Sequence, residues 1–224
     1  MSARPNTPTR VGVVLSGCGF KDGAEIHESV LTLLALDRAG CEISCFAPDV
    51  DQAAVVDHVT GEAGAETRNV LTEAARIARG EIRDLGEARE SDLDALLLPG
   101  GFGAAMNLCD FATKGSAGTV NEDLAALLRA MHDAKKPIGA ICIAPGAVAL
   151  ALGDRKPTLT IGTDAGTAQA IEACGAIHQD CPVDDCVVDA EQKIASTPAY
   201  MLGPSIAHVA TGIDRCVAEV LKMA

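Results

Sequence analysis

The chain has 224 residues, is 48% hydrophobic and carries a formal net charge of -13. This charge argues against nucleic-acid binding, because neutralising phosphates requires clustered Lys and Arg. No run of about 18 apolar residues is present, so we expect no membrane-spanning helix and no membrane association. Nine cysteines without an export signal predict mostly free thiols in a reducing cytoplasm.

The length suits one compact domain. The first ten residues, MSARPNTPTR, contain no apolar stretch of the kind that a secretory signal needs. We therefore expect a short disordered tail over residues 1–10 and a single domain over 11–224.

Strand and helix patterns alternate along the rest of the chain. Apolar runs predict strands over 10–19, 41–49, 92–101, 137–145 and 157–163. Helical periodicity predicts helices over 23–40, 65–80, 120–136, 146–152, 165–175 and 205–223. Residues 186–198 predict a β-hairpin with its turn at 190–192. The alternation favours an α/β fold, mostly a parallel sheet with helices on both faces and a β-hairpin near the C-terminus.

Ligands of such sheets bind beyond the carboxyl ends of the strands. One of these ends carries Cys142, in the sequence Ala-Ile-Cys-Ile-Ala. Ala140 and Ala144 hold the positions of the glycines in a G-x-S-x-G nucleophile elbow, where a sharp strand-to-helix turn admits only small residues. The positive end of the following helix favours thiolate, so we predict that Cys142 has the lowest thiol pKa of the nine cysteines. A buried, inert cysteine fits the same pentapeptide.

Two further segments bear on this choice. Residues 98–108 follow a buried strand and are rich in glycine, so their backbone N–H groups can approach a ligand closely. Glu25 and Glu28 fall in the first turn of the helix that follows the first strand. An acidic side chain there either interacts favourably with the helix dipole or forms part of a functional site.

Taken together, these segments resemble the PfpI-like branch of the class I glutamine amidotransferase-like superfamily, and in particular its ElbB type, associated with isoprenoid biosynthesis and glyoxalase activity. The resemblance runs from Val11 to the last helix. Its motifs are SGCGFKDGAEIHESVLTLLALDRAG, VTGEAGAETRNVL, LLPGGFGAAMNL, ICIAP, TIGTD, CPVDD and TPAYML. It implies a flavodoxin-like three-layer sandwich and a homodimer.

The resemblance also implies roles for particular residues. Cys142 matches the nucleophile of the family and Glu28 the acidic residue beside that thiol. Gly101, the N–H of Phe102 and the N–H of Ile143 match the oxyanion hole.

One position departs from the protease-like and glutaminase members. They carry a histidine after the strand that follows the elbow, whereas this chain has Gly162, Thr163 and Asp164 there. His27 is a candidate replacement, although neighbouring helical residues point about 100° apart, which would place it to the side of Glu28.

Other patterns indicate no cofactor and no metal. The spacing of His178, Cys181, Asp184, Asp185 and Cys186 does not match a closed zinc site. The first glycine-rich turn has the wrong spacing for a dinucleotide. Cys18, at the end of the first strand, is the candidate partner of an oxidised Cys142.

The leading hypothesis is a slow glyoxalase III-like lyase (hydro-lyase) acting on 2-oxoaldehydes such as glyoxal and methylglyoxal. Cys142 would form a hemithioacetal and Glu28 would move protons as general acid and base, without glutathione or metal. The alternatives are a non-catalytic cysteine oxidation sensor or stress protein, and a glutaminase, which the absent histidine disfavours.

Overall fold

The computed structural model describes residues 8–224, and its elements follow one another as strand and helix along most of the chain. In chain order these elements are β1 (Arg10–Val14), α1 (Ile26–Arg38), β2 (Glu42–Ala47), α2 (Val70–Ile77), β3 (Ile82–Asp84), β4 (Ala95–Leu98), α3 (Phe102–Met106), α4 (Phe111–Lys114), α5 (Glu122–Asp133), β5 (Ile138–Ile141), α6 (Pro145–Leu152), β6 (Thr158–Leu159), α7 (Ala165–Ala173), β7 (Ile177–His178), β8 (Val187–Asp189), β9 (Ile194–Thr197) and α8 (Ile206–Met223). β1 begins at Arg10, the last residue of the expected tail. Residues 1–7 of that tail lie outside the described residues.

A seven-stranded sheet forms the centre of the fold, in the order β3-β2-β1-β4-β5-β9-β8. All neighbouring strands pair in parallel except β8 and β9, which form the antiparallel hairpin. From β1 the chain first adds β2 and β3 on one side and then adds β4 and β5 on the other side. The loops that follow β1 and β4 therefore diverge and leave a crevice between them.

Alternate side chains of each central strand supply two separate apolar layers. In β4, Ala95 and Leu97 pack with α1, α2 and α8, while Leu96 and Leu98 pack with α5 and α6. All four residues are buried, as expected for a strand covered on both faces. The predicted α/β flavodoxin-like sandwich, with a mostly parallel sheet and a C-terminal hairpin, is confirmed.

The strand predicted over 157–163 is shorter than expected and does not join the main sheet. Only Thr158 and Leu159 are in a strand there, and they pair with β7 in a separate two-stranded sheet. The place beside β5 is taken by β9, whose four residues are buried and pair in register from Ile138 with Ile194. Both segments are short apolar runs, and which of them joins the main sheet depends on tertiary packing.

Among residues 8–224, none of the helices combines the length and the apolar character that crossing a bilayer requires.

Candidate active site

Cys142 lies at a sharp turn between β5 and α6. Its φ angle is 62°, in the left-handed region that residues other than glycine seldom adopt. Ala140 and Ala144 on either side are fully buried, so larger side chains would not fit. Pro145 starts α6, where the missing N–H of proline carries no penalty. Strain of this kind costs about 1–3 kcal/mol and is concentrated at functional sites.

The glycine-rich loop after β4 packs directly against Cys142. A Cβ atom on Gly100 would lie 2.4 Å from Cys142 Cβ and 2.7 Å from Glu28 Oε2. A Cβ atom on Gly101, whose φ angle is 91°, would lie 2.4 Å from the backbone nitrogen of Glu25. Both positions therefore need glycine because no side chain fits there.

The backbone N–H groups of Gly101 and Ile143 lie near the thiol of Cys142, where they favour its ionised form. The Phe102 N–H, expected from the sequence as an oxyanion donor, instead donates to the carbonyl of Phe20 at 2.8 Å. That expectation is corrected by the path of the backbone: α3 begins at Phe102, and the positive φ of Gly101 turns this N–H toward the loop after β1.

Glu28 lies beside Cys142 with no surface exposed to solvent. Its Oε2 accepts a hydrogen bond from Gly100 N–H at 2.9 Å, and its Oε1 accepts one from Tyr200 N–H at 3.1 Å. The carboxyl group also lies next to the Cys142 side chain, since a Cβ atom on Gly100 would meet both of them. Glu28 is therefore anchored on both oxygens and aimed at the sulfur.

Burial raises the pKa of the Glu28 carboxyl to about 8. Burial also raises the pKa of the Cys142 thiol, and the negative charge of Glu28 acts in the same direction, whereas the two N–H groups act in the opposite one. The predicted lowest thiol pKa among the cysteines is thus contradicted, because desolvation outweighs the helix terminus. A protonated Glu28 no longer opposes the thiolate, so the two groups titrate as a coupled pair.

A cavity of about 610 Å³ opens over Cys142. Four of the five aromatic residues of the chain line it, namely Phe20, Phe102, Phe111 and Tyr200. Its other lining residues are mostly alanine, glycine and larger apolar residues, and Glu25 is the charged one among them. Glu28 is not part of the wall, because it lies behind Cys142.

A second cavity, of about 510 Å³, lies at the opposite edge of the sheet around Arg10, Lys135 and Lys136. It is next to the amino ends of β1 and β5 and contains no cysteine. Ligands of sheets of this kind bind at the carboxyl ends of the strands, which is where Cys142 lies.

The structure shows what occupies the place of the absent histidine. Asp164 caps α7 by accepting hydrogen bonds from the N–H and hydroxyl groups of Thr167. None of the five histidines, all within residues 8–224, lines the cavity. His27 reaches it indirectly, since its Nδ1 lies 2.8 Å from the hydroxyl oxygen of Tyr200.

Tyr200 was missed as a site residue by the sequence reasoning. Burial raises the pKa of its phenol, and the charges of Glu25 and Glu28 act in the same direction. Nothing in the spacing of its motif, TPAYML, shows that Tyr200 lines the same cavity as Cys142.

Cys18 is not brought together with Cys142. It does not line the cavity, and the charged groups near its thiol are Glu73, Arg76 and Asp22. The loop after β1 places Phe20 and Glu25 toward the cavity while Cys18 faces α2. The structure thus does not support Cys18 as an oxidation partner, and all nine cysteines are free.

The metal-like pattern over 178–186 has structural roles in the fold. His178 Nε2 accepts a hydrogen bond from Ile161 N–H at 3.3 Å, and the carbonyl of Asp185 accepts one from Thr197 at 2.8 Å. Within residues 8–224 no group of three or more His, Cys, Asp or Glu side chains is arranged to hold a metal ion.

This fold, with a cysteine at the elbow and a buried glutamate beside it, agrees with a family comparison. The chain belongs to the DJ-1/PfpI family, whose model matches residues 18–198. It is 43% identical over 232 residues to the ES1 protein homolog, mitochondrial, of Rattus norvegicus, covering 99% of this chain and 86% of the relative.

Two further comparisons agree. The chain is 44% identical over 229 residues to a human protein, glutamine amidotransferase-like class 1 domain-containing protein 3, mitochondrial, covering 98% of this chain and 85% of the relative. It also matches the crystal structure of an isoprenoid biosynthesis protein with an amidotransferase-like domain from Ehrlichia chaffeensis. That match has a TM-score of 0.90 and 38% identity over 96% of this chain and all of the other. The resemblance to the ElbB type is confirmed.

The names of these relatives contradict the expected cytoplasmic location, because the rat and human proteins are both described as mitochondrial. The expectation depended on free thiols and on the composition of the first residues. Free thiols fit any reducing compartment, so they do not single out the cytoplasm.

Proposed function

We propose that this protein is a cysteine-dependent enzyme that converts 2-oxoaldehydes into 2-hydroxy acids without glutathione. One observation carries the proposal: Cys142, at the wall of a cavity, and the buried carboxyl of Glu28 pack together against Gly100, next to the backbone N–H groups of Gly101 and Ile143. A nucleophile, a base and oxyanion donors in contact are the parts that covalent carbonyl chemistry requires.

In the first step the Cys142 thiolate adds to the aldehyde carbon, C1. In the fraction of molecules whose Glu28 carboxyl is ionised, this carboxylate accepts the thiol proton and passes it to the C1 oxygen, which yields a neutral hemithioacetal. The N–H groups of Gly101 and Ile143, which lie near the reacting sulfur, stabilise the oxyanion that develops before this transfer.

In the second step the hydrogen on C1 moves as a proton. Because C1 is now bonded to the Cys142 sulfur, its hydrogen comes within range of the Glu28 carboxylate, which removes it. The hydroxyl of Tyr200 gives its proton to the C2 oxygen, and an enediol results. Glu28 then protonates C2, while the phenolate of Tyr200 recovers a proton from the C1 hydroxyl.

The product of this step is a thioester of a 2-hydroxy acid, and water hydrolyses it to release the acid and the thiol. No external oxidant or reductant is consumed, since one carbon is oxidised and its neighbour reduced. His27, bonded to the Tyr200 hydroxyl and exposed to solvent, is positioned to exchange the phenol proton with water.

The direct test is the initial rate of 2-hydroxy acid formation from methylglyoxal by the wild type and by Cys142→Ser. The serine hydroxyl is nearly isosteric with the thiol but does not ionise near neutral pH, so turnover should fall at least roughly 10³-fold. Arg83→Ala, on the surface at β3, serves as the matched control. Equal rates in wild type and Cys142→Ser would refute the proposal.

A second candidate function is a cysteine oxidation sensor. It is favoured by the raised pKa of Glu28, about 8, because a protonated carboxyl can donate a hydrogen bond to a sulfinate on Cys142. No feature of the site favours a glutaminase, since Gly162–Asp164 supplies no imidazole. Wild-type protein that forms a stable sulfinate at Cys142 but no hydroxy acid would select the sensor.

A further inference from the structure

We infer that the substrate of this site is an uncharged 2-oxoaldehyde that carries an aryl-sized apolar group, of which phenylglyoxal is the simplest example. The inference rests on the proposed function, because the aldehyde must reach Cys142. It adds to that function a preference for a ring over the small glyoxals expected from the sequence.

The distribution of aromatic residues is the first observation. Only 2% of the chain is aromatic, yet four of its five aromatic side chains surround the cavity over Cys142. Phe20 and Phe102 are 46% and 52% exposed, respectively, although large apolar side chains are ordinarily buried. Aromatic side chains prefer offset or edge-on contact with another ring. A planar group in the cavity would cover surface that otherwise faces water.

The charge of the wall is the second observation. Among the residues that line the cavity, none is Lys or Arg, and Glu25 is the charged one. A phosphate or carboxylate on the substrate would lose its hydration without gaining a cation. This argues for a neutral tail, and against phosphorylated aldehydes.

The size of the cavity is the third observation. Its volume of about 610 Å³ lies within the range of roughly 300–1,000 Å³ typical of pockets for drug-sized ligands. Methylglyoxal bound at Cys142 would fill only a small part of this volume and would not extend to Phe111 and Met201 on the cavity wall. A ring attached to the ketone carbon would extend from the sulfur toward these side chains.

The test compares kcat/KM for three aldehydes in the wild-type protein, from initial rates. The kcat/KM for phenylglyoxal should exceed that for methylglyoxal by roughly 10- to 100-fold, the range expected for burying a ring of this size. 4-Carboxyphenylglyoxal has the same ring with one negative charge and should be at least about tenfold poorer than phenylglyoxal. A kcat/KM for methylglyoxal equal to or above that for phenylglyoxal would overturn the inference.

A pair of variants locates the effect. Phe102→Ala removes a half-exposed wall residue and should reduce the ratio of phenylglyoxal to methylglyoxal about tenfold. Ile177→Ala is the matched control, since Ile177 is 51% exposed and lies outside the cavity; its ratio should equal that of the wild type. An unchanged ratio in Phe102→Ala would contradict the aromatic wall as the source of the preference.

A binding measurement separates this inference from the proposed function. Acetophenone carries the ring and ketone but no aldehyde, so its binding to Cys142→Ala, followed by saturation-transfer NMR, does not depend on turnover. One outcome is that acetophenone binds Cys142→Ala, that this binding is lost when Phe102→Ala is added, and that the wild type turns over no aldehyde. This outcome would refute the proposed function and retain the ring site. Methylglyoxal turnover without acetophenone binding would retain the function and refute the ring site, and failure of both would refute both.

Discussion

The Glu28 carboxyl is held by the backbone N–H of Gly100 at 2.9 Å on one oxygen, while the N–H of Tyr200 binds the other oxygen at 3.1 Å. Both donors are fixed in the backbone, so each oxygen must accept. A carboxyl group meets this requirement whether or not it is protonated, because each of its oxygens keeps a lone pair. The side-chain amide of a glutamine does not meet this requirement, because its NH₂ group has no lone pair to accept a hydrogen bond from the second backbone N–H.

Glu28→Gln should therefore lose both turnover and stability. Turnover should fall roughly 10²–10⁴-fold, because the titrating proton is gone. The free energy of unfolding should fall by about 1–3 kcal/mol, the cost of one buried donor left unpaired. Hydroxy acid formation and urea unfolding measure the two effects. Unchanged turnover would remove Glu28 from the mechanism.

The raised pKa of Glu28 predicts how stability depends on pH. The folded protein keeps this proton up to about pH 8, whereas the ordinary pKa of the group is 4.5. Between these two pH values the folded state binds more protons than the unfolded state. The contribution of Glu28 to the free energy of unfolding is therefore complete below pH 4.5, its ordinary pKa, and is lost as the pH rises through about 8, its pKa in the folded protein.

We expect this loss to amount to roughly 2–4 kcal/mol from about pH 5 to about pH 8. Other groups add slopes of their own, so the measurement is the difference between urea-unfolding curves of the wild type and Glu28→Gln across this range. The wild type should lose more stability than the variant. Parallel pH profiles would show that the pKa of Glu28 is not raised.

Gly100→Ala should damage the site through contact alone. The added Cβ would lie 2.4 Å from Cys142 Cβ and 2.7 Å from Glu28 Oε2, so the pair must separate. We expect turnover to fall at least roughly tenfold, because misplacing reacting groups by about 1 Å is costly. Gly86→Ala is the control, since its Cβ meets nothing closer than 3.5 Å. Wild-type rates in Gly100→Ala would contradict the described packing.

Tyr200→Phe should lower kcat roughly 10²-fold. This change removes the hydroxyl but keeps the backbone N–H that holds Glu28, so stability should change little. His27→Ala should lose part of the rate and recover it when free imidazole is added, because His27 is exposed and its partner lies on the cavity wall. Rates in Tyr200→Phe equal to the wild type, or no response to imidazole, would exclude this proton route.

The sequence predicted the fold and the core of the site because both depend on local patterns. The sharp turn at Cys142 requires small residues on either side, and Ala140 and Ala144 are visible in the chain. Glu28 lies in the first turn of the helix after β1, and Cys142 follows β5, so both lie at the carboxyl ends of parallel strands on either side of β4. Family motifs carried the same information.

What the sequence did not predict depends on contacts between distant segments. The preference of β9 over residues 157–163 as the neighbour of β5 is a matter of packing. The direction of the Phe102 N–H follows from the φ angle of Gly101, and the approach of Tyr200 follows from the loop after β9. The raised pKa of Cys142 results from burial, which outweighs the favourable helix terminus that the sequence does show.

The most direct test of the account is to identify which of the nine thiols carries the substrate during turnover. Wild-type protein and Cys142→Ser are mixed with methylglyoxal, quenched in acid within the first turnovers and analysed by peptide mass spectrometry. We expect an added mass of one methylglyoxal on the peptide containing Cys142 in the wild type, and its absence from the variant. Hydroxy acid formation with no adduct on Cys142, or with the same adduct pattern in both proteins, would contradict it.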